Sequence, residues 1–167
     1  MLNGSKAYFS GPMEFSSVDY RTQPSIELQK MFGIQVFDPA LDPKQQWISE
    51  IKQAKSDKDY VRMKSIAENF VRKDLGILYQ CDMTIAFLPY KMPTVGTHHE
   101  IIESWRAMKP TLLVCQEGIE NIPVWYFGFI PIEHMFASWN DLYNYLARVE
   151  SGDAYDNTWY LLKQKST

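Results

Sequence analysis

Residues 82–115, DMTIAFLPYKMPTVGTHHEIIESWRAMKPTLLVC, carry the pattern that decides the fold. Asp82 to Leu88 is a nearly unbroken apolar run of strand length, the signature of a strand covered on both faces. A loop with two prolines follows. Gly96-Thr97 then opens a helix that runs to Ala107, and Pro110 precedes a second apolar strand, Thr111 to Cys115. Strand, helix and strand at that spacing make a parallel crossover. Upstream, Lys6 to Ser10 is β-prone and stops at Gly11-Pro12. From Pro24 to Phe32 the residues Ile26, Leu28, Met31 and Phe32 recur at helical spacing, Gly33 ends the helix, and Ile34 to Phe37 reads as another strand. Residues 45–80 are long, charged and helical, broken in two near Lys55 to Asp59, with Ile48, Ile51, Met63, Ile66, Phe70, Val71, Leu75 and Leu78 expected to face inward. Downstream, His134 to Phe136 is a weaker fifth strand and Ser138 caps a helix from Trp139 to Val149. The alternation predicts one α/β domain with a parallel sheet over residues 1–150 and a polar tail, 151–167, which could dock on a neighbouring subunit through Trp159-Tyr160.

The composition agrees with that plan. A chain of 167 residues fits one domain, and 46% hydrophobic with 22% charged residues excludes disorder. Seventeen Lys plus Arg against 20 Asp plus Glu leave no basic footprint, so a nucleic acid polymer is not an expected partner. The apolar runs fall well short of the roughly 20 residues that span a bilayer, and the first fifteen residues lack a signal pattern. No membrane partner is expected, and a cytoplasmic location is. Cys81 and Cys115 each lie in an apolar stretch without metal spacing and read as buried free thiols. Nine Phe, ten Tyr and five Trp exceed what one small core needs, which points to an aromatic pocket or subunit seam as well.

Ligands of open parallel sheets bind outside the carboxyl ends of the strands, which directs attention to residues 11–17, 39–47 and 89–100. Glu100 lies one turn into the helix opened by Gly96-Thr97, where a helix N-terminus favours an ionised, nucleophilic carboxylate. The competing reading is a capping box, with Thr97 as N-cap and Glu100 at N3. Asp74 falls near a helix C-terminus, where the macrodipole disfavours an acid. Either it has a task or it is a solvated acid paired with Arg72 or Lys73. Asp82, at the start of a strand, could simply bond local backbone. His98 and His99 point about 100° apart with no third ligand at helical spacing, so no metal is expected; His98 reads as a pocket wall or substrate contact and His134 as core. There is no nucleophile elbow, GxxxxGK[ST] loop or GxGxxG loop, and no cofactor is expected.

Tyr8-Phe9-Ser10-Gly11-Pro12-Met13, Asp74-Leu75 with Asp82 eight residues after Asp74, and Gly96-Thr97-His98-His99-Glu100-Ile101 together resemble the nucleoside 2-deoxyribosyltransferase family, as does the separation of 26 residues between Asp74 and Glu100. The resemblance spans about residues 6–116 and thins across 43–71. It implies a flavodoxin-like (Rossmann-like) three-layer sandwich around a five-stranded parallel sheet. It also implies that Glu100 is the nucleophile of a retaining reaction, that Asp74 contacts the base and helps protonate it, and that Tyr8 orients Glu100. Ser10, Gly11, Pro12, Met13 and Phe15 would contact substrate from the first loop, with Asp82, Thr94, Gly96, Thr97 and His98 contributing from later segments. Homodimers or higher assemblies are implied, with 123–129 and Trp159-Tyr160 as apolar contact surfaces.

One position departs from the transferases: six residues before Glu100, where they carry an Asp, stands Thr94. A carboxylate would repel a 5'-phosphate, whereas a hydroxyl can donate to it and helix N-terminal N–H groups can meet it. The branch that hydrolyses nucleoside 5'-monophosphates has a small hydroxyl residue there, and Gly96 to Ile101 with Trp105 looks like its cytidylate hydrolases. The resemblance therefore leans to release of free base from a (deoxy)nucleoside 5'-monophosphate, with Ser10, Gly11, Thr94 and Gly96 near the phosphate. Base exchange on 2'-deoxynucleosides is the alternative. A non-catalytic nucleotide sensor is a second alternative, opposed by the joint presence of Tyr8, Asp74 and Glu100.

Overall fold

The computed structural model describes residues 1–13, 20–41, 47–92, 95–154 and 157–159. Five parallel strands, β1 (Lys6–Ser10), β2 (Gln35–Phe37), β3 (Met83–Phe87), β4 (Thr111–Val114) and β5 (Met135–Phe136), form one sheet in the order β2-β1-β3-β4-β5. This is the flavodoxin-like order, with the direction of winding reversing between β1 and β3. Helices α1 (Thr22–Phe32) and α5 (Trp139–Ser151) cover one face, and α3 (Tyr60–Gln80) and α4 (Val95–Arg106) the other; α2 (Trp47–Ser56) packs against α3. The three-layer α/β sandwich expected from the sequence is the one found.

Local chemistry sets the element ends. Gly33 closes α1 in the left-handed region at φ 66, where a side chain would be strained, and its N–H bonds the Gln29 carbonyl at 2.9 Å. Asp59 caps α3 by accepting from Arg62 N–H at 3.0 Å, so the break expected between residues 55 and 59 becomes a turn joining α2 to α3. Ser138 caps α5 as the sequence indicates, accepting from Asp141 N–H. At the far end of α3, the Lys109 ammonium donates to the carbonyls of Leu78, Tyr79 and Cys81 at 2.7, 2.8 and 2.7 Å. The Leu78 carbonyl also accepts from the Cys81 N–H at 3.1 Å, so the ammonium chiefly serves the last carbonyls of the helix, which an α-helix leaves open at its end.

The main core lies between the sheet and α1 with α5, built from Phe9, Leu28, Ile85, Leu112, Leu142 and their neighbours. A second cluster lies under α4 and the 119–130 segment around Ile101, Leu113 and Tyr126. Both cysteines are buried and free. Trp159 is fully buried in the main core, where its indole N–H donates to Tyr145 Oη at 3.0 Å; Tyr145 in turn contacts His134 Nε2 at 2.8 Å. The surface imagined at Trp159-Tyr160 is thus occupied on the Trp159 side by this chain's own core, and Tyr160 lies outside the described residues. Val71 also departs from expectation. It is exposed, because α3 meets the sheet only near its C-terminal end, around Leu78, and elsewhere borders α2 and a cavity. No helix among the described residues is long and apolar enough to cross a membrane.

Candidate active site

Alternation along β1 makes the first arrangement. Ala7 and Phe9 enter the main core, while Tyr8 and Ser10 point to the opposite face, under α3 and α4. Both present hydroxyls to one carboxyl group: Tyr8 Oη donates to Glu100 Oε1 at 2.6 Å, and Ser10 Oγ donates to Glu100 Oε2. This geometry removes the capping-box reading. Helix α4 begins at Val95, so Thr97 lies inside it, and the Glu100 carboxyl faces β1 instead of a cap.

Burial pushes the Glu100 carboxyl from 4.5 up to about 7. The hydroxyl bonds from Ser10 and Tyr8 pull the other way, the charge of Asp74 adds to the rise, and Arg21 opposes it. The helix N-terminus does not keep this acid fully ionised, since Glu100 is the sixth residue of α4, beyond the first-turn reach of the macrodipole. Burial also raises Tyr8 far above its usual range, with the negative charge of Glu100 reinforcing the effect, so its hydroxyl remains a donor throughout ordinary pH. Asp74 is only 4% exposed and faces the same space, which excludes the reading as a solvated helix-end acid.

Around these groups lies a cavity of about 510 Å³, within the roughly 300–1,000 Å³ typical of small-molecule sites. Gly11, Pro12 and Met13 form one wall, and Val95, Gly96, Thr97 and His99 another. Trp47, Ile51 and Lys55 from α2, with Met63, Lys64, Ala67, Phe70, Val71 and Leu75 from α3, form the third. Trp47 and Phe70 stack with ring centroids 4.2 Å apart. The cavity sits outside the carboxyl ends of β1 and β3, at the reversal of winding, where the sheet topology places a ligand.

The expected site residues divide cleanly. Tyr8, Ser10, Gly11, Pro12, Met13, Asp74, Gly96, Thr97 and Glu100 come together; Phe15 and Thr94 lie outside the described residues. Two do not join them. Asp82 is at the opposite end of the sheet, its Oδ2 accepting from Lys6 N–H at 2.9 Å, because the start of β3 pairs with the start of β1. His98 bonds and stacks on Tyr126, at ring centroids 5.5 Å apart, and it is His99 that lines the cavity. Successive helical residues point about 100° apart, so choosing the wrong one of the pair turns the ring off the site. Missed altogether were the α2–α3 wall, whose only early signal was Trp47 at the end of the 39–47 loop, and Arg21, which nothing local distinguishes. Among the described residues no three His, Cys, Asp or Glu are grouped as a metal ion would need.

No family model matches the chain, and no curated protein does. Among solved structures it is similar to a 2-deoxyribosyltransferase from the psychrotolerant bacterium Bacillus psychrosaccharolyticus, with a TM-score of 0.54 over 92% of this chain and 93% of that one, at 19% identity. The chain has the fold of a 2-deoxyribosyltransferase. The similarity to that 2-deoxyribosyltransferase extends over nearly the whole of both chains.

Proposed function

We propose that the chain is an enzyme that cleaves the N-glycosidic bond of a nucleotide or nucleoside, with Glu100 as nucleophile. The observation that carries this reading is the carboxyl of Glu100, held on each oxygen by one hydroxyl of β1 and facing Asp74 in a cavity of nucleoside size. In the first step a Glu100 oxygen bonds the anomeric carbon as the bond to the base breaks, and Asp74 delivers a proton to the departing base. The transition state has oxocarbenium character, which a carboxylate beneath the ring stabilises, and protonation spares the base from leaving as an anion. Water then attacks the anomeric carbon, gives a proton to the Asp74 carboxylate as the bond to Glu100 breaks, and so restores both acids to their starting states. Tyr8 and Ser10 hold the carboxylate in line throughout, and the stacked Trp47 and Phe70 offer an aromatic wall to a planar base.

Hydrolysis of a 5'-monophosphate is the preferred form, supported by Thr94 in place of an acid and by Gly96 and Thr97 on the cavity at the start of α4. The solved neighbour favours transfer to a second base, the same chemistry with a different acceptor. A panel of nucleosides and 5'-monophosphates, each with and without a second free base, separates the two. Base released from monophosphates alone supports hydrolysis, and exchange that requires the second base supports transfer. Glu100→Gln should abolish either; a substantial residual rate would remove Glu100 as nucleophile. Thr94→Asp should impair monophosphates far more than nucleosides.

A further inference from the structure

A buried cation stands directly behind the wall formed by Gly11 and Pro12. Arg21, just before α1, is 7% exposed, and its guanidinium reaches three ways. One Nη meets Asp38 Oδ1 at 2.5 Å, the other donates to the Gly11 carbonyl at 2.5 Å, and Nε donates to Tyr20 Oη at 3.1 Å. Tyr20 Oη donates in turn to the Pro12 carbonyl. Two successive side chains therefore grip two successive carbonyls of the segment that follows Ser10. Asp38, anchored by Ala40 N–H at 2.9 Å, fixes the guanidinium from the end of β2. Gly11 fits this grip: a Cβ there would stand 2.8 Å from Tyr20 Oη and 3.3 Å from the Arg21 Nη, closer than side chains pack.

We infer that Arg21, acting with Tyr20, is a positioning residue that locks Gly11-Pro12, and through it Ser10, against Glu100. The inference rests on Glu100 being the reacting carboxylate. The charge of Arg21 also favours ionised Glu100. Among the described residues, the other titratable groups facing Glu100 are Tyr8, Tyr20 and Asp74, and His99, Lys55 and Lys64 line the same cavity. Arg21 is the buried cation of that set, and Asp38 offsets part of its field.

Two variants separate grip from charge. Arg21→Lys keeps the charge and loses the planar fork that serves three acceptors at once. Arg21→Met with Asp38→Asn removes the charge without leaving a buried carboxylate unpaired. Each is checked for folding by its melting transition, then read three ways: turnover, amide exchange across residues 10–13 without substrate, and titration of the Glu100 carboxyl by carbon NMR, assigned by its absence in Glu100→Gln. Both variants should lose on the order of 100-fold in kcat, the cost of a misplacement near 1 Å, and exchange faster across 10–13. The Glu100 midpoint should stay near the wild-type value in Arg21→Lys and rise in the double variant. Folded variants with wild-type turnover and exchange would overturn the inference, as would an unmoved midpoint in the double variant for the role of the charge. If Glu100→Gln itself turns over normally, the nucleophile reading fails separately, and exchange and titration still judge Arg21.

Discussion

Tyr8→Phe is the most informative single change, because it deletes one oxygen and leaves the packing of a fully buried ring intact. The lost bond runs from Tyr8 Oη to Glu100 Oε1 at 2.6 Å and helps hold the carboxyl down to about 7 against burial. A hydrogen bond to a charged group contributes about 1.5–3 kcal/mol, and a displacement of one pH unit corresponds to about 1.4 kcal/mol. The Glu100 midpoint should therefore rise by about one to two pH units, to roughly 8–9. At pH 7 the ionised fraction would drop from about half to a tenth or less, so kcat/KM should fall about 5- to 50-fold there and recover much of that by pH 10. Tyr8 itself stays protonated across this range, so the variant removes a donor and not an anion. The assay is kcat/KM from pH 5 to 10 for wild type and variant side by side. A midpoint that does not move, or a loss of equal size at every pH, would refute the claim that this bond sets the ionisation of Glu100.

Three further outcomes follow from the same structure. Glu100→Gln should gain stability at high pH: the unfolded carboxyl ionises near 4.5 and the folded one near 7, so its contribution is complete below 4.5 and lost as pH climbs through 7. Relative to wild type the variant should gain roughly 3 kcal/mol between pH 4 and 8 in urea titrations, and parallel curves would contradict the burial argument. Trp159→Ala should cost about 3–5 kcal/mol by denaturant titration, as befits a fully buried indole, and a loss under 1 kcal/mol would mean that residues 157–159 do not hold the core. Lys109→Met should cost about 1–3 kcal/mol by removing the ammonium that the Leu78, Tyr79 and Cys81 carbonyls share at the end of α3, with amide exchange rising first around 78–81; unchanged exchange there would sink this account.

What could be read in the sequence was whatever depends on periodicity. The strands at 83–87 and 111–114 are buried on every residue, so their apolar runs stand out without an alignment. Asp74 was legible because the macrodipole disfavours an acid near a helix C-terminus, and both it and Glu100 because the motifs around them resemble a known family. Arg21 was not, since its partners Asp38 and Gly11 lie 17 and 10 residues away and only the β1-α1-β2 crossover brings them together. Asp82 misled for the complementary reason: its eight-residue separation from Asp74 resembles the family's, yet the chain reverses direction between them, leaving one at each end of the sheet. The 43–71 region hid its purpose because the apolar residues of α2 and α3 serve a cavity as much as a core, and hydrophobic spacing does not distinguish the two.

The two outermost strands have a consequence for how copies of this chain can meet. At the margins of the sheet, β2 has three residues and β5 two, while the longer strands β1, β3 and β4 are enclosed on both sides. Short margins give an incoming chain too few unpaired backbone groups to add a strand, which guards so apolar a sheet against open-ended growth. The same shortness disfavours pairing of copies edge to edge and leaves helix and loop surfaces for any such contact. Val124 and Trp125, 84% and 77% exposed, stand on such a surface.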